Sequence, residues 1–507
     1  MAGRMAAAVE ESYTELEARL ARIADLSRIA RVLSWDQQVI MPPGGAEPRA
    51  EQLATLGRTI HEEFTAEEVG RLLEELRSYG ESLPYDSDEA SLIRVAEQDY
   101  EKARRVPPEL TAELARAASL GQQVWVQARA ESDFAKFLPA LERNVELKRQ
   151  YIDCFEPAEE PYDILLDDYE HAMSTAHVRA VFDRLKEELV PIIQAVAEAP
   201  PVDESFLVGP FPIELQKEAL LAILRPLGFD ETQWRLDPTP HPFASYSGLT
   251  DIRITTRYLE DGLMALFAGI HEFGHGLYEH QSSPELDRTT ISGGVSLGLH
   301  ESQSRLWENL VGRSRPFWRR FYEPFQRAFP EVLGDVDVEA FYRAVNRIRP
   351  SLIRVEADQV TYNMHVILRF ELEQDILAGN VELRDLPEAW NARMQEYLGI
   401  DVPDDAHGVL QDVHWSAGVV GYFPTYSLGN VMSVQIWEAL RRDLPDLDDQ
   451  IEAGEFAPLR EWLRDRIHRH GRKFTPQETL ERAIGSTIDP EPYLRYLKGK
   501  VAELYGV

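Results

Sequence analysis

Apolar residues recur at intervals of three and four over most of this chain, a spacing that gathers them on one face of a helix and points to a mainly α fold. Leu16, Leu20, Ile23, Leu26, Ile29, Val32 and Leu33 set the pattern. It returns near residues 50–77, 86–131, 134–153, 176–198, 213–226 and 455–505. Clusters of proline and glycine interrupt it at Pro42 to Gly45, at Pro200 and Pro201, at Pro210 and Pro212, and at Pro238, Pro240 and Pro242. None is long or Ser-rich enough to act as a flexible linker. Residues 1–507 are therefore expected to form one catalytic unit, with residues 10–77 as an N-terminal helical hairpin within it. One stretch breaks the rhythm: residues 251–258 alternate branched and polar side chains, the pattern of a short strand with two distinct faces.

Charge and cysteine content narrow the partners. Lys and Arg number 53 against 87 Asp and Glu, a formal net charge of −34 that opposes binding to nucleic acid and to anionic membranes. No apolar run is long enough to span a bilayer. Cys154 is the single cysteine, so neither an internal disulfide nor a thiolate metal site is available. Glu10, Glu11 and Glu15 fall where a secretory signal needs an apolar stretch. A cytoplasmic location is the expectation.

The chemistry concentrates after the predicted strand. An apolar run leads into His271, Glu272, Phe273, Gly274 and His275, an HExxH motif. Residues four apart stack one turn above each other on a helix, so both imidazoles can face one ion with Glu272 beside them. That arrangement suits a zinc peptidase, in which a carboxylate takes the proton of water attacking a carbonyl. A third ligand is expected at Glu301, 26 residues beyond His275, after a loop containing Gly293, Gly294 and Gly298 that lets a second helix turn back.

Further on, residues 353–369 carry two superposed stripes at helical spacing. Ile353, Ala357, Val360, Met364 and Ile367 form an apolar face, and Arg354, Asp358, Tyr362, His365 and Arg369 a polar one, which predicts a single helix with an ion-pair ladder. Arg354, near its start, is placed to project a two-pronged guanidinium into a cleft and clasp a carboxylate. The segment from Gly408 to Tyr426 is glycine-rich and aromatic, as in loops that approach a ligand closely. Trp415 and Phe423 read as core, whereas His414, Tyr422 and Tyr426 are candidates to donate hydrogen bonds to an oxyanion.

Together these residues resemble the carboxypeptidase Taq family of HExxH metallocarboxypeptidases. The likeness extends along the whole chain: Trp35 to Gln37 with Met41 to Gly45, His241 to Phe243, Asp251 with Arg253 and Thr255, His271 to His275, His300 to Ser302, Ile353 to Glu371, and Gly408 to Trp415. The resemblance implies a saddle-shaped helical enzyme with a deep groove, a small sheet near the active site and a homodimeric assembly. It implies removal of single residues from the free carboxyl end of peptides, with broad preference, using Zn2+ or Co2+. It assigns His271, His275 and Glu301 to the metal and Glu272 to the general base. Arg354 is expected to hold the terminal carboxylate, and His241, His414, Tyr422 and Tyr426 to support substrate and the tetrahedral intermediate. The region from Leu16 to Leu76 resembles the family's lid over the groove. Gln359 departs from the pattern, standing where an acidic residue is common. A related zinc oligopeptidase that cuts internally is the alternative.

Overall fold

The computed structural model describes residues 2–507, and helices dominate it. The predicted stretches are present, divided where the chain supplies breakers. Residues 50–77 fall in two helices, Ala46–Phe64 and Glu67–Ser82, and residues 86–131 are split by Pro107 and Pro108 into Asp88–Arg105 and Pro108–Glu131. The first apolar stripe lies on a long N-terminal helix, Ala2–Val39.

Two strands beyond the predicted one complete a small sheet. Trp234–Pro238 (β1), Ala244–Gly248 (β2) and Asp251–Thr256 (β3) are ordered β1-β3-β2, with β3 parallel to β1 and antiparallel to β2. The strand ends at Thr256 rather than Tyr258. Alternation along β3 gives the sheet two faces. Ile252 and Ile254 are fully buried toward the HExxH helix, Met264–His280. Arg253 points the other way and, with Arg235 of β1, brackets the Trp35 ring of the N-terminal helix at 4.5 and 5.0 Å.

The core is in two parts. The larger runs through most of the chain and encloses Ile270, Phe273 and Leu277 of the HExxH helix. The smaller joins Leu16, Leu20 and Ile23 to Val69, Leu72, Leu73 and Leu76, then to Leu92 and Ile93. Leu286 and Ile291, from the loop after the HExxH helix, insert into it. Each fully buried side chain of this kind contributes about 1.5–3 kcal/mol. The Arg28–Asp287 ion pair, at 2.5 Å, ties the N-terminal helix to the same loop.

One expected element is different. Residues 353–369 do not form one helix: Arg354–Glu356 is a short 3-10 turn, and the α-helix begins only at Tyr362. Asp358 is responsible. Its carboxylate accepts from Val360 N, Thr361 N and the Thr361 hydroxyl, and from Arg349 N, satisfying local backbone donors in a non-helical conformation. Asp358 thus caps a turn instead of standing in an ion-pair ladder.

Candidate metal centre and active site

The HExxH helix is apolar on nearly every side, so His271 and His275 are pinned by the packing of their neighbours. Both keep a narrow opening to solvent, with side chains 16% and 18% exposed. The second helix, Leu297–Arg305, starts at Ser296, whose hydroxyl caps Leu299 N and donates to Glu170. The two helices pack closely, and Glu301 projects from the second toward the first. His271 Nε2 lies 3.6 Å and His275 Nε2 3.4 Å from Glu301 Oε2. The three ligand atoms lie within 4.8 Å of one another, the one such cluster of His, Cys, Asp and Glu among the described residues.

The surroundings fit a divalent cation. Each ring offers Nε2 inward and has its other nitrogen occupied, which fixes ring orientation. His271 Nδ1 is 2.9 Å from Glu308 Oε2, and His275 Nδ1 is 2.7 Å from His300 Nδ1. His300 Nε2 is in turn 2.8 Å from Glu279 Oε1. Arg305 Nε donates to Glu301 Oε1 at 2.7 Å, while Oε2, which also accepts from the Ser304 hydroxyl at 3.2 Å, faces the two imidazoles. Burial works against the Glu301 charge, but Arg305 and His271 hold its carboxyl well below the usual range. Glu308 sits in a π-helical segment, Leu306–Val311, where Arg305 and Arg313 flank it. Glu272 is 7% exposed. Burial, opposed by His271 and reinforced by Glu301 and Glu308, pushes its carboxyl up to about 7.

A second constellation lies next to the first, joined through Tyr362. Arg305 stacks over the Tyr362 ring at 4.5 Å, and Arg354 Nη1 donates to the Tyr362 hydroxyl at 2.9 Å. Arg354 is only 6% exposed, its fork already engaged with Asp412 Oδ1 through Nε at 3.1 Å and Nη2 at 2.8 Å. Arg369 Nε donates to the other oxygen of Asp412 at 2.7 Å. Two guanidinium groups against one carboxylate leave one uncompensated positive charge. His414 does not add to it, because burial pulls its imidazole down to about 4. His414 Nε2 is 3.3 Å from the Tyr426 hydroxyl, and Tyr422 packs on Tyr426 with ring centroids 5.2 Å apart. Burial raises both phenols, Tyr422 to about 12, so both keep their protons and can donate.

The predicted residues thus converge with one exception. His241 is exposed on the link between β1 and β2 and takes no part in these hydrogen-bonded clusters. Trp415 and Phe423 are core residues, as expected. Sequence reasoning passed over Glu279, Arg305, Glu308 and Asp412. Helical spacing carried a signal for three of them: Glu279 stands four beyond His275, and Arg305 and Glu308 stand four and seven beyond Glu301.

Residues 15–501 match the sequence profile of the carboxypeptidase Taq (M32) metallopeptidases. The chain belongs to the carboxypeptidase Taq family. It is accordingly a metallocarboxypeptidase that acts on peptides. It is 41% identical over 512 residues to thermostable carboxypeptidase 1 of Thermus thermophilus, an alignment covering 98% of this chain and 99% of the relative. Carboxypeptidase 1 of Bacillus subtilis is 38% identical, with 96% and 97% covered. Among solved structures, the M32 carboxypeptidase of Deinococcus radiodurans superposes with a TM-score of 0.94 at 40% identity, covering 98% of this chain and 100% of that one. A Pyrococcus furiosus carboxypeptidase structure gives 0.94 at 37% identity, with 97% and 99% covered. This carboxypeptidase Taq member has no helix long and apolar enough to cross a membrane among its described residues.

Proposed function

We propose that this enzyme releases single residues from the free carboxyl end of peptides with broad side-chain preference, with zinc, or cobalt in its place, held by His271, His275 and Glu301. The convergence of those three side chains beside Glu272 carries the reading. A dication held there supplies Lewis-acid polarisation of the scissile carbonyl and lowers the pKa of water beside it. Glu272, poised near neutrality, takes a proton from the attacking water and returns it to the leaving amine. Tyr422, Tyr426 and neutral His414 donate toward the oxyanion of the tetrahedral intermediate.

The surplus positive charge of the Arg354, Asp412 and Arg369 triad supports recognition of a terminal carboxylate. Arg354 meets it by exchanging one bond to Asp412, whose charge Arg369 continues to balance. His241, on the exposed link, contacts the substrate as it enters. The region of residues 10–77 serves as a lid over the groove, and the enzyme works in the cytoplasm.

Paired peptides test this, one with a free carboxyl end and one amidated, each with and without chelator. Only the free acid is expected to be shortened, one residue at a time, and only with metal present. Equal cleavage of the amidated peptide would favour an internal-cutting oligopeptidase and overturn the assignment.

A further inference from the structure

A buried carboxylate ordinarily finds donors for both oxygens, and Glu279 leaves one to be accounted for. It is 5% exposed on the HExxH helix. Its Oε1 accepts from Gly294 N at 3.2 Å and faces His300 Nε2, while Oε2 is buried without a hydrogen-bond partner. The neighbour of that oxygen is the phenol of Tyr246, from β2. A Cβ built on Gly293 would lie 2.6 Å from Glu279 Oε2 and 3.1 Å from Tyr246 Oη, so the two oxygens face a common point. Burial first, and Glu279 next, raise the Tyr246 pKa, so the phenol keeps its proton. Across the edge of the sheet, the Arg31 guanidinium of the N-terminal helix stacks on the same ring at 4.1 Å.

The chain of contacts has one consistent direction of donation, given the reading of His275 as a metal ligand on which this inference rests. His275 must present Nε2 as a lone pair, so its proton sits on Nδ1 and is donated to His300 Nδ1. His300 then carries its proton on Nε2 and gives it to Glu279 Oε1. Glu279 is the acceptor at the end of this chain, and its second, buried oxygen requires a donor of its own.

We propose that Tyr246 is that donor, a positioning residue through which the N-terminal helix fixes the tautomer and orientation of His275. Seating Arg31 on the ring aims the hydroxyl at Glu279, and the Arg28–Asp287 pair holds the same helix against the loop that leads to Gly293 and Gly294.

The test is zinc affinity, measured on the full chain by competition with a chromophoric chelator, with the absorption spectrum of the cobalt-loaded protein as a second readout. Tyr246→Phe keeps the ring and removes the donor. It is expected to weaken zinc binding by about 10–100-fold and to alter the cobalt spectrum, as loss of an outer partner of a metal-bound histidine does. Arg31→Ala is expected to weaken zinc by roughly threefold or more, and the double variant to be no weaker than Tyr246→Phe alone, because both act through one hydroxyl. A purely structural role would lower the melting temperature of the metal-free protein without moving zinc affinity. Affinity within about twofold of the unaltered protein in both variants overturns the inference. Should Tyr246→Phe fail to fold, Arg31→Ala, at an exposed position, decides alone, and unchanged affinity there overturns it. If the unaltered protein binds neither zinc nor cobalt, the metal-ligand reading itself fails and this inference falls with it, a result distinct from unchanged variants.

Discussion

Single side chains in this enzyme do work that their neighbours make possible. The base role proposed for Glu272 draws on the burial that pushes its carboxyl up to about 7. Glu272→Gln preserves shape and removes the proton acceptor. Elemental analysis is expected to find stoichiometric metal in this variant, while turnover falls by about 10²–10⁴-fold; retained turnover would refute the role. Lys500 shows the opposite case, a charge without a counter-ion. Its ammonium is 7% exposed and is held by Asn346 Oδ1 at 2.7 Å and Gln359 Oε1 at 3.2 Å. Burial, followed by Arg313, pulls it from 10.5 down to about 7. Between those values the unfolded chain binds the proton and the folded one does not. Its contribution to stability is therefore complete above the upper value and lost as pH falls through the lower one. Gln359→Glu supplies the missing carboxylate. Denaturant unfolding is expected to show a gain of about 1–3 kcal/mol near neutral pH and a flatter rise toward pH of about 9.

At the scale of elements, the metal centre depends on how closely two helices approach. A Cβ on Gly274 would stand 2.6 Å from Ser304 Cα and 2.7 Å from Gln303 O, so only glycine lets the HExxH helix lie against the helix carrying Glu301. Gly429, on Pro424–Asp443, leaves similar room for the Glu301 side chain. Gly274→Ala is expected to cost about 1–3 kcal/mol as an overpacked contact. It should also weaken zinc binding, since Glu301 must retreat from the imidazoles. Urea midpoints and zinc titration of the same sample check both effects, and an unchanged zinc titration would show that the helix spacing does not set the ligand geometry. The HExxH helix and its partner were legible from spacing and glycine placement. The break at Asp358 was not, because the apolar and polar stripes of residues 353–369 are continuous, and only the side-chain bonds of Asp358 to Val360 and Thr361 reveal a turn.

Over the whole molecule, the N-terminal helices own a core distinct from the main one, yet they meet the catalytic region through Trp35, Arg28 and Arg31. The helix Ala46–Phe64 contributes no buried residue to either core. A homodimer is expected from the family resemblance, and Leu120 and Val126, each more than half exposed on Pro108–Glu131, are apolar surface that a partner would cover. Light scattering on the purified enzyme is expected to give twice the chain mass. A monomeric mass at working concentration would remove the dimer from the description.

The sequence alone determined the helical class, and it made the cluster of His271, His275 and Glu301 legible as an expectation, because these depend on short-range periodicity and on spacing along the chain. It also located the blocks from Ile353 to Glu371 and from Gly408 to Trp415. Only the tertiary structure decided that Arg354 shares Asp412 with Arg369, that Glu308 and the His300–Glu279 pair orient the two imidazoles, and that His241 stands apart on an exposed link. Those facts join residues from separate elements, and their energies come from burial and from hydrogen bonds that exist only once distant segments are packed together.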